Sequence, residues 1–188
     1  MGNKKRINFA WIPVIGMMIL MSSHSFIPEK FDDDIIDDDY FSDSVTVKND
    51  IRYKTYKNAR FLFSIDYPAD FTVGNMPQNG DGRRFSGKKA ELVVSGHLVL
   101  EDVYESFEKY FQQKKEWKHK VTYERLTKNW FVLSGYDEDG KIYYEKTIYK
   151  KSDDSEGSLI AVTATLTYDT SENAYYGKII NHIFTTLK

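Results

Sequence analysis

Cysteine is absent from all 188 residues. That absence excludes a disulfide scaffold, a thiol nucleophile, a thiolate metal site and a redox pair, and it closes the lipid-modified-cysteine route to a membrane. Short chemical motifs are lacking too. The chain has no G-x-x-x-x-G-K-[ST] phosphate loop, no G-x-G-x-x-G turn, no H-x-x-x-H or H-E-x-x-H helix and no G-x-S-x-G elbow. The histidines beyond residue 25 are His97, His119 and His182, and without such spacing they read as surface or boundary residues. No metal and no cofactor is expected. A dispersed Ser/His/Asp triad is defined by geometry rather than spacing and stays open as an alternative.

Long apolar runs are also missing. The best is Phe9–Met21, which spans roughly 20 Å as a helix against a bilayer core of about 30 Å and is interrupted by Pro13 and Gly16. Lys4-Lys5-Arg6 precedes it and Ser22-Ser23-His24-Ser25 follows. Basic head, short apolar run and small residues are the order of a bacterial-type secretory signal. Residues 1–25 are therefore expected to be a signal peptide, with release of a chain starting at Phe26. The alternative is an uncleaved N-terminal anchor. After cleavage no stable membrane span is expected, and the location is extracytoplasmic, periplasmic or secreted.

Seven aspartates fall between Asp32 and Asp43 with no basic residue among them. Their mutual repulsion predicts an acidic disordered tether over 26–49. The triplets lack the glycine and terminal glutamate of an EF-hand loop. The chain's net charge is −2; the basic head and the tether account for the imbalance, leaving 50–188 near neutral. Such a domain has no basic field for nucleic acid, so no nucleic-acid partner is expected.

From residue 50 the chain reads as a single α+β domain, long enough to bury a core, with 14 Tyr and 12 Phe to fill it. Arg52–Tyr56 and Phe61–Tyr67 alternate as strands; Arg83–Ser86 and Ala90–Leu98 follow after a Gly- and Pro-containing loop. Val103, Phe107, Tyr110 and Phe111 recur at helical spacing, with Glu101 and Asp102 in the first turn and Lys114 and Lys115 in the last. Strands are then expected at Val121–Leu126, Trp130–Tyr136, Lys141–Lys150 and Leu159–Tyr168, with a hairpin at Asp139-Gly140. Trp130–Leu133 is apolar on both faces and reads as a central strand. In the last strand Ile160, Val162, Ala164, Leu166 and Tyr168 oppose Thr163, Thr165 and Thr167. A closing helix, introduced by Asp169 and Glu172, carries the stripe Tyr176, Ile179, Ile180, Ile183, Phe184 and Leu187.

Two features invite chemistry. The loop Asn79-Gly-Asp-Gly82 with Arg83 and Arg84 offers oxygens for a cation or guanidinium groups for an anion, although Asn-Gly and Asp-Gly are also common tight turns. Two oxygen ligands fall far short of the roughly 6–8 that calcium takes. The aromatics Trp117, Trp130, Tyr143, Tyr144 and Tyr149 offer a binding platform or, equally, cross-strand packing. Tyr143 and Tyr149 alternate with Tyr144, so some of them are expected to be partly exposed. The candidate partner-binding residues are Asn79, Asp81, Arg83, Arg84, Tyr143 and Tyr149.

Phe61–Phe71, Asn79-Gly-Asp-Gly82, Phe85 and the Ala90–Leu98 strand resemble a set of uncharacterised bacterial exported domains. The element order over about 50–188 is similar to the PsbP/Mog1-like fold. That resemblance implies an α/β/α sandwich with a central antiparallel sheet of about six to seven strands and two packed helices. It also implies an extrinsic or accessory binding role without catalytic residues. The expected function is an exported, non-enzymatic binding or accessory protein whose partner is a protein or envelope component. The alternatives are a hydrolase with a dispersed polar site or an antagonist of an exported toxin.

Overall fold

Alternating strands and two apolar helical stripes organise the described residues into two sheets and two α-helices. The computed structural model describes residues 39–99, 106–151 and 159–188. In chain order the strands are β1 (Tyr40–Phe41), β2 (Thr46–Lys48), β3 (Ile51–Asn58), β4 (Phe63–Pro68), β5 (Thr72–Val73), β6 (Gly82–Gly87) and β7 (Ala90–Leu98). Helix α1 (Phe107–Glu116) leads to β8 (Lys120–Leu126), β9 (Trp130–Tyr136), β10 (Ile142–Lys151) and β11 (Leu159–Tyr168), and α2 (Asn173–Thr186) closes the domain. The main sheet has seven antiparallel strands in the order β5-β6-β7-β11-β10-β9-β8. The α+β class and the size of that sheet are as expected. No helix among the described residues is long and apolar enough to cross a membrane.

Three expectations need correction. β3 and β4 do not extend the main sheet; with β1 and β2 they form a separate small one in which β3 pairs with the other three. The stretch 26–49, expected as a tether, is structured from Asp39 onward: β1 and β2 form an interrupted strand hairpinned to β3. The turn is Asn49-Asp50, both at positive φ (51° and 62°), the two-residue geometry that Asn and Asp tolerate among non-glycines. The first helix starts after Ser106, whose side chain accepts from the Lys109 N–H at 3.1 Å, so Glu108 takes the acidic first-turn place. Val103, Glu101 and Asp102 lie outside the described residues, as do residues 1–38.

Side-chain alternation on the main sheet sorts its residues between two cores. Even positions of β10 and β11 face α2 and the small sheet, where Val162, Ala164 and Leu166 meet Ile179, Ile183, Phe184, Tyr56 and Ile65. Odd positions face α1, where Tyr143 and Ala161 join Tyr110, Phe111, Phe131 and Leu133. β9 lies one strand in from the edge rather than at the centre, yet Phe131, Val132 and Leu133 are buried because both faces are covered there. The Asp139-Gly140 hairpin forms as read, with Gly140 at φ 75° and the Lys141 N–H donating to the Asp137 carboxylate at 2.8 Å.

Phe131 contacts the rings of Phe107, Tyr110 and Phe111 at centroid distances of 5.3–6.0 Å. Its replacement by alanine should cost ~3–5 kcal/mol in a denaturant melt. Trp117→Ala, at a residue 65% exposed, should stay within about 0.5 kcal/mol.

Candidate functional site

The six residues singled out from sequence do not converge. Asn79 and Asp81 satisfy each other: the Asn79 side-chain amide donates to the Asp81 carboxylate at 2.8 Å. The Asn79 carbonyl accepts from Arg60, and the Asp81 carbonyl accepts from the Gly96 N–H at 2.8 Å. Gly80, at φ 60°, lets this segment turn. Among the described residues no group of three or more His, Asp or Glu side chains could hold a metal ion.

Arg83 and Arg84 are neighbours on β6 and therefore point to opposite faces. Arg84 lies at the surface, 2.5 Å from Glu91. Arg83 is buried and pairs with Asp39 at 3.0 Å, with a second hydrogen bond to the Gly74 carbonyl at 3.3 Å. Tyr143 is only 4% exposed, and burial, aided by the nearby Glu145 charge, pushes its hydroxyl pKa up to about 12. Tyr149 lies against Phe107 and stacks on Tyr110 at centroid distances of 4.1 and 5.7 Å. Both tyrosines face α1, so neither builds an open platform.

The open aromatic surface is on the other face of the same strands. Register places Tyr123, Ser134 and Tyr144 in one row across β8, β9 and β10, and Arg125, Val132 and Lys146 in the next. The C-terminal part of α2 borders these rows, leaving a groove of about 230 Å³ lined also by Trp130, Asn181, Phe184 and Thr185. The Arg125 guanidinium sits over the Trp130 ring at 5.2 Å and the Lys146 ammonium approaches the same ring at 5.6 Å. Cations over an indole face are attracted by its quadrupole, so Trp130 holds both in place. Two strand spacings put the Arg125 and Lys146 backbones roughly 10 Å apart, on either side of Val132. The Lys146 ammonium donates to the Phe184 carbonyl at 2.7 Å, and burial lowers its pKa from the ordinary lysine value. Both charged groups of the groove are cations. Tyr123 is 50% exposed, and β8 pairs with β9 alone, leaving one edge without a strand partner among the described residues.

Sequence reasoning named Trp130 and Tyr144 but missed Arg125, Lys146 and Asn181. The available signal was strand alternation: with Trp130 and Val132 on one face, Lys146 and Tyr144 must join them once β9 and β10 form a hairpin.

A second polar cluster joins β4 to α2. His182 Nε2 lies 3.0 Å from the Asp66 carboxylate, whose other oxygen accepts from the Thr55 hydroxyl at 2.7 Å. The Asp66 N–H donates to the Thr186 hydroxyl at 2.9 Å, and the Tyr53 ring covers His182 at 4.1 Å. A hollow of about 600 Å³ lies alongside, lined by Ser42, Ser44, Thr55, Ser64, Asp66, Thr185 and Thr186 among others. Among the described residues Asp66 is the side-chain hydrogen-bond partner of His182, so the pair has the carboxylate–imidazole half of a triad. His97 meets the Tyr110 hydroxyl at 3.2 Å; burial, followed by the charge of Lys114, lowers its pKa.

No family model matches the sequence, and no curated protein matches it. Among solved structures the chain is similar to the solution structure of cyanobacterial PsbP (CyanoP) from Synechocystis sp. PCC 6803, with a TM-score of 0.47 and 10% identity over 72% of this chain and 91% of that one. No residue role passes from that protein to this chain.

The two arginines of the loop should separate cleanly by stability. Arg83→Met leaves Asp39 buried without its cation and should cost ~3–5 kcal/mol, whereas Arg84→Met should cost ~1 kcal/mol or less, both read from denaturant unfolding.

Proposed function

We propose that this protein is an extracytoplasmic, non-catalytic binding protein that takes an extended acidic polypeptide segment along β8 and into the groove beside α2. The observation that carries this reading is the row Arg125–Val132–Lys146, with both cations held on Trp130 next to a strand edge that has no strand partner among the described residues. The edge offers main-chain donors and acceptors to an added strand, and alternate side chains of that strand would fall over the groove. A carboxylate there meets two cations and the Asn181 amide, and an apolar neighbour meets Tyr123 or Trp130. The polypeptide reading is preferred to a small anion because the edge and the groove adjoin. The signal-like N-terminus supports the location, and its processing is the matching proposal: release at Phe26.

A titration of the full chain with a glutamate-rich peptide, followed by Trp fluorescence and calorimetry, tests the binding. Binding should weaken roughly 10- to 100-fold in Lys146→Met or Arg125→Gln, the loss of one charge-assisted hydrogen bond. It should also weaken as pH rises past the lowered pKa of Lys146, because the ammonium that attracts the carboxylate is then lost. Equal affinity in both variants, or none at low salt, would overturn the reading.

A second reading, a hydrolase, has the Asp66–His182 contact in its favour. Its test is ester or peptide hydrolysis by the full chain that disappears in His182→Gln while the fold persists.

A further inference from the structure

Asp39 is held as a bound ligand would be. Its carboxylate accepts from the Arg83 guanidinium at 3.0 Å, the Tyr56 hydroxyl at 2.7 Å, the Asn58 amide at 3.3 Å and the Ala59 N–H at 3.1 Å. Both partners of the ion pair are almost fully buried. Two residues on, the Phe41 ring covers Arg83 at 5.4 Å and Tyr56 at 5.4 Å. Between them Tyr40 points outward and is 55% exposed. Among the described residues the socket is thus filled by an acid and an aromatic with one spacer between them.

The receiving surface belongs to other segments and is held without that strap. Asn58 is fixed by donating to the Gly80 carbonyl at 2.9 Å and accepting from the Phe61 N–H at 2.8 Å. Arg83 is steadied by the Gly74 carbonyl. Among the described residues the strap has two register pairs with β3 and a Ser42 N–H to Thr55 carbonyl bond at 3.0 Å, and residues 42–45 separate it from β2. A buried guanidinium left without a carboxylate is costly, so the socket favours any strand that supplies the same acid and aromatic.

We propose that this socket is a recognition site for an acid-x-aromatic strand, filled in cis by Asp39–Phe41, and that the same segment of a second copy can fill it. The socket's chemistry names the occupant: the sequence that satisfies it in this structure is this chain's own. Exchange of an identical element needs no new interface, only a hinge, here residues 42–45. The proposal is independent of the groove beside α2.

The absence of cysteine makes the test direct. Tyr40 and Lys57 are opposite partners in the β1–β3 pair, both are exposed, and antiparallel partners lie within disulfide reach. A full chain carrying Tyr40→Cys is mixed with one carrying Lys57→Cys, unfolded, and refolded together at high concentration in a glutathione buffer. The expected product is a disulfide-linked dimer containing one of each. Its yield should rise with concentration and exceed several-fold that of either chain alone or of a pairing with Lys128→Cys. Adding Asp39→Ala to the Tyr40→Cys chain should remove it. Dimer yields equal to the Lys128 control, or unchanged by Asp39→Ala, would overturn the proposal.

Discussion

The main sheet is covered on both faces at β9, β10 and β11, and that single constraint decides where every aromatic of those strands goes. Side chains alternate with a period of two, so a residue's parity assigns it either to α1 or to α2. The α1 face closes completely over Phe131, Leu133 and Tyr143. On the α2 face Phe184 packs into the core, and α2 itself runs on to Thr186. What remains open is the outer strand β8, where Tyr123 and Arg125 are exposed, and Trp130 and Lys146 border it. The groove therefore lies between the C-terminal part of α2 and the exposed outer strand.

Polar groups buried by the same packing are paired across elements distant in sequence. Thr165 donates to Glu145 at 3.0 Å, and Glu145 also takes Lys118 at 2.6 Å, which ties the central strands to the segment after α1. The Thr147 and Thr163 hydroxyls bond each other at 2.8 Å on that face. Asp66 links β3 and α2, and Asp39 links the first strand to β6. Each such pair is weak evidence for net stability but a strong demand for one arrangement, since a displaced partner leaves a buried charge or donor unmet.

Much of this was legible in the sequence and some was not, for physical reasons. The alternation of β11, the Asp139-Gly140 turn and the stripe of α2 are local patterns, and each appears where its period or turn chemistry puts it. Trp130 and Tyr144 could be named as candidates, and alternation with the β9–β10 hairpin puts Lys146 on their face, but Arg125 reaches Trp130 through the β8–β9 register, which includes a shift between Val121 and Tyr123 that one sequence does not display. Asp39 was the least legible. Within an acidic run it looks like its neighbours, and only the fold brings Arg83, 44 positions away, to meet it. For the same reason Arg83 reads as a surface arginine beside two turn signals, while its strand position turns it inward.

The proposed recognition surface is the α2-facing side of β8–β10. The most direct measurement is a map of backbone amide chemical shifts during titration of the isotope-labelled full chain with a glutamate-rich peptide. Perturbations should cluster at Tyr123, Arg125, Trp130, Tyr144, Lys146 and Asn181. Perturbations centred instead on residues 79–84, or around Asp66 and His182, with the groove unmoved, would contradict it.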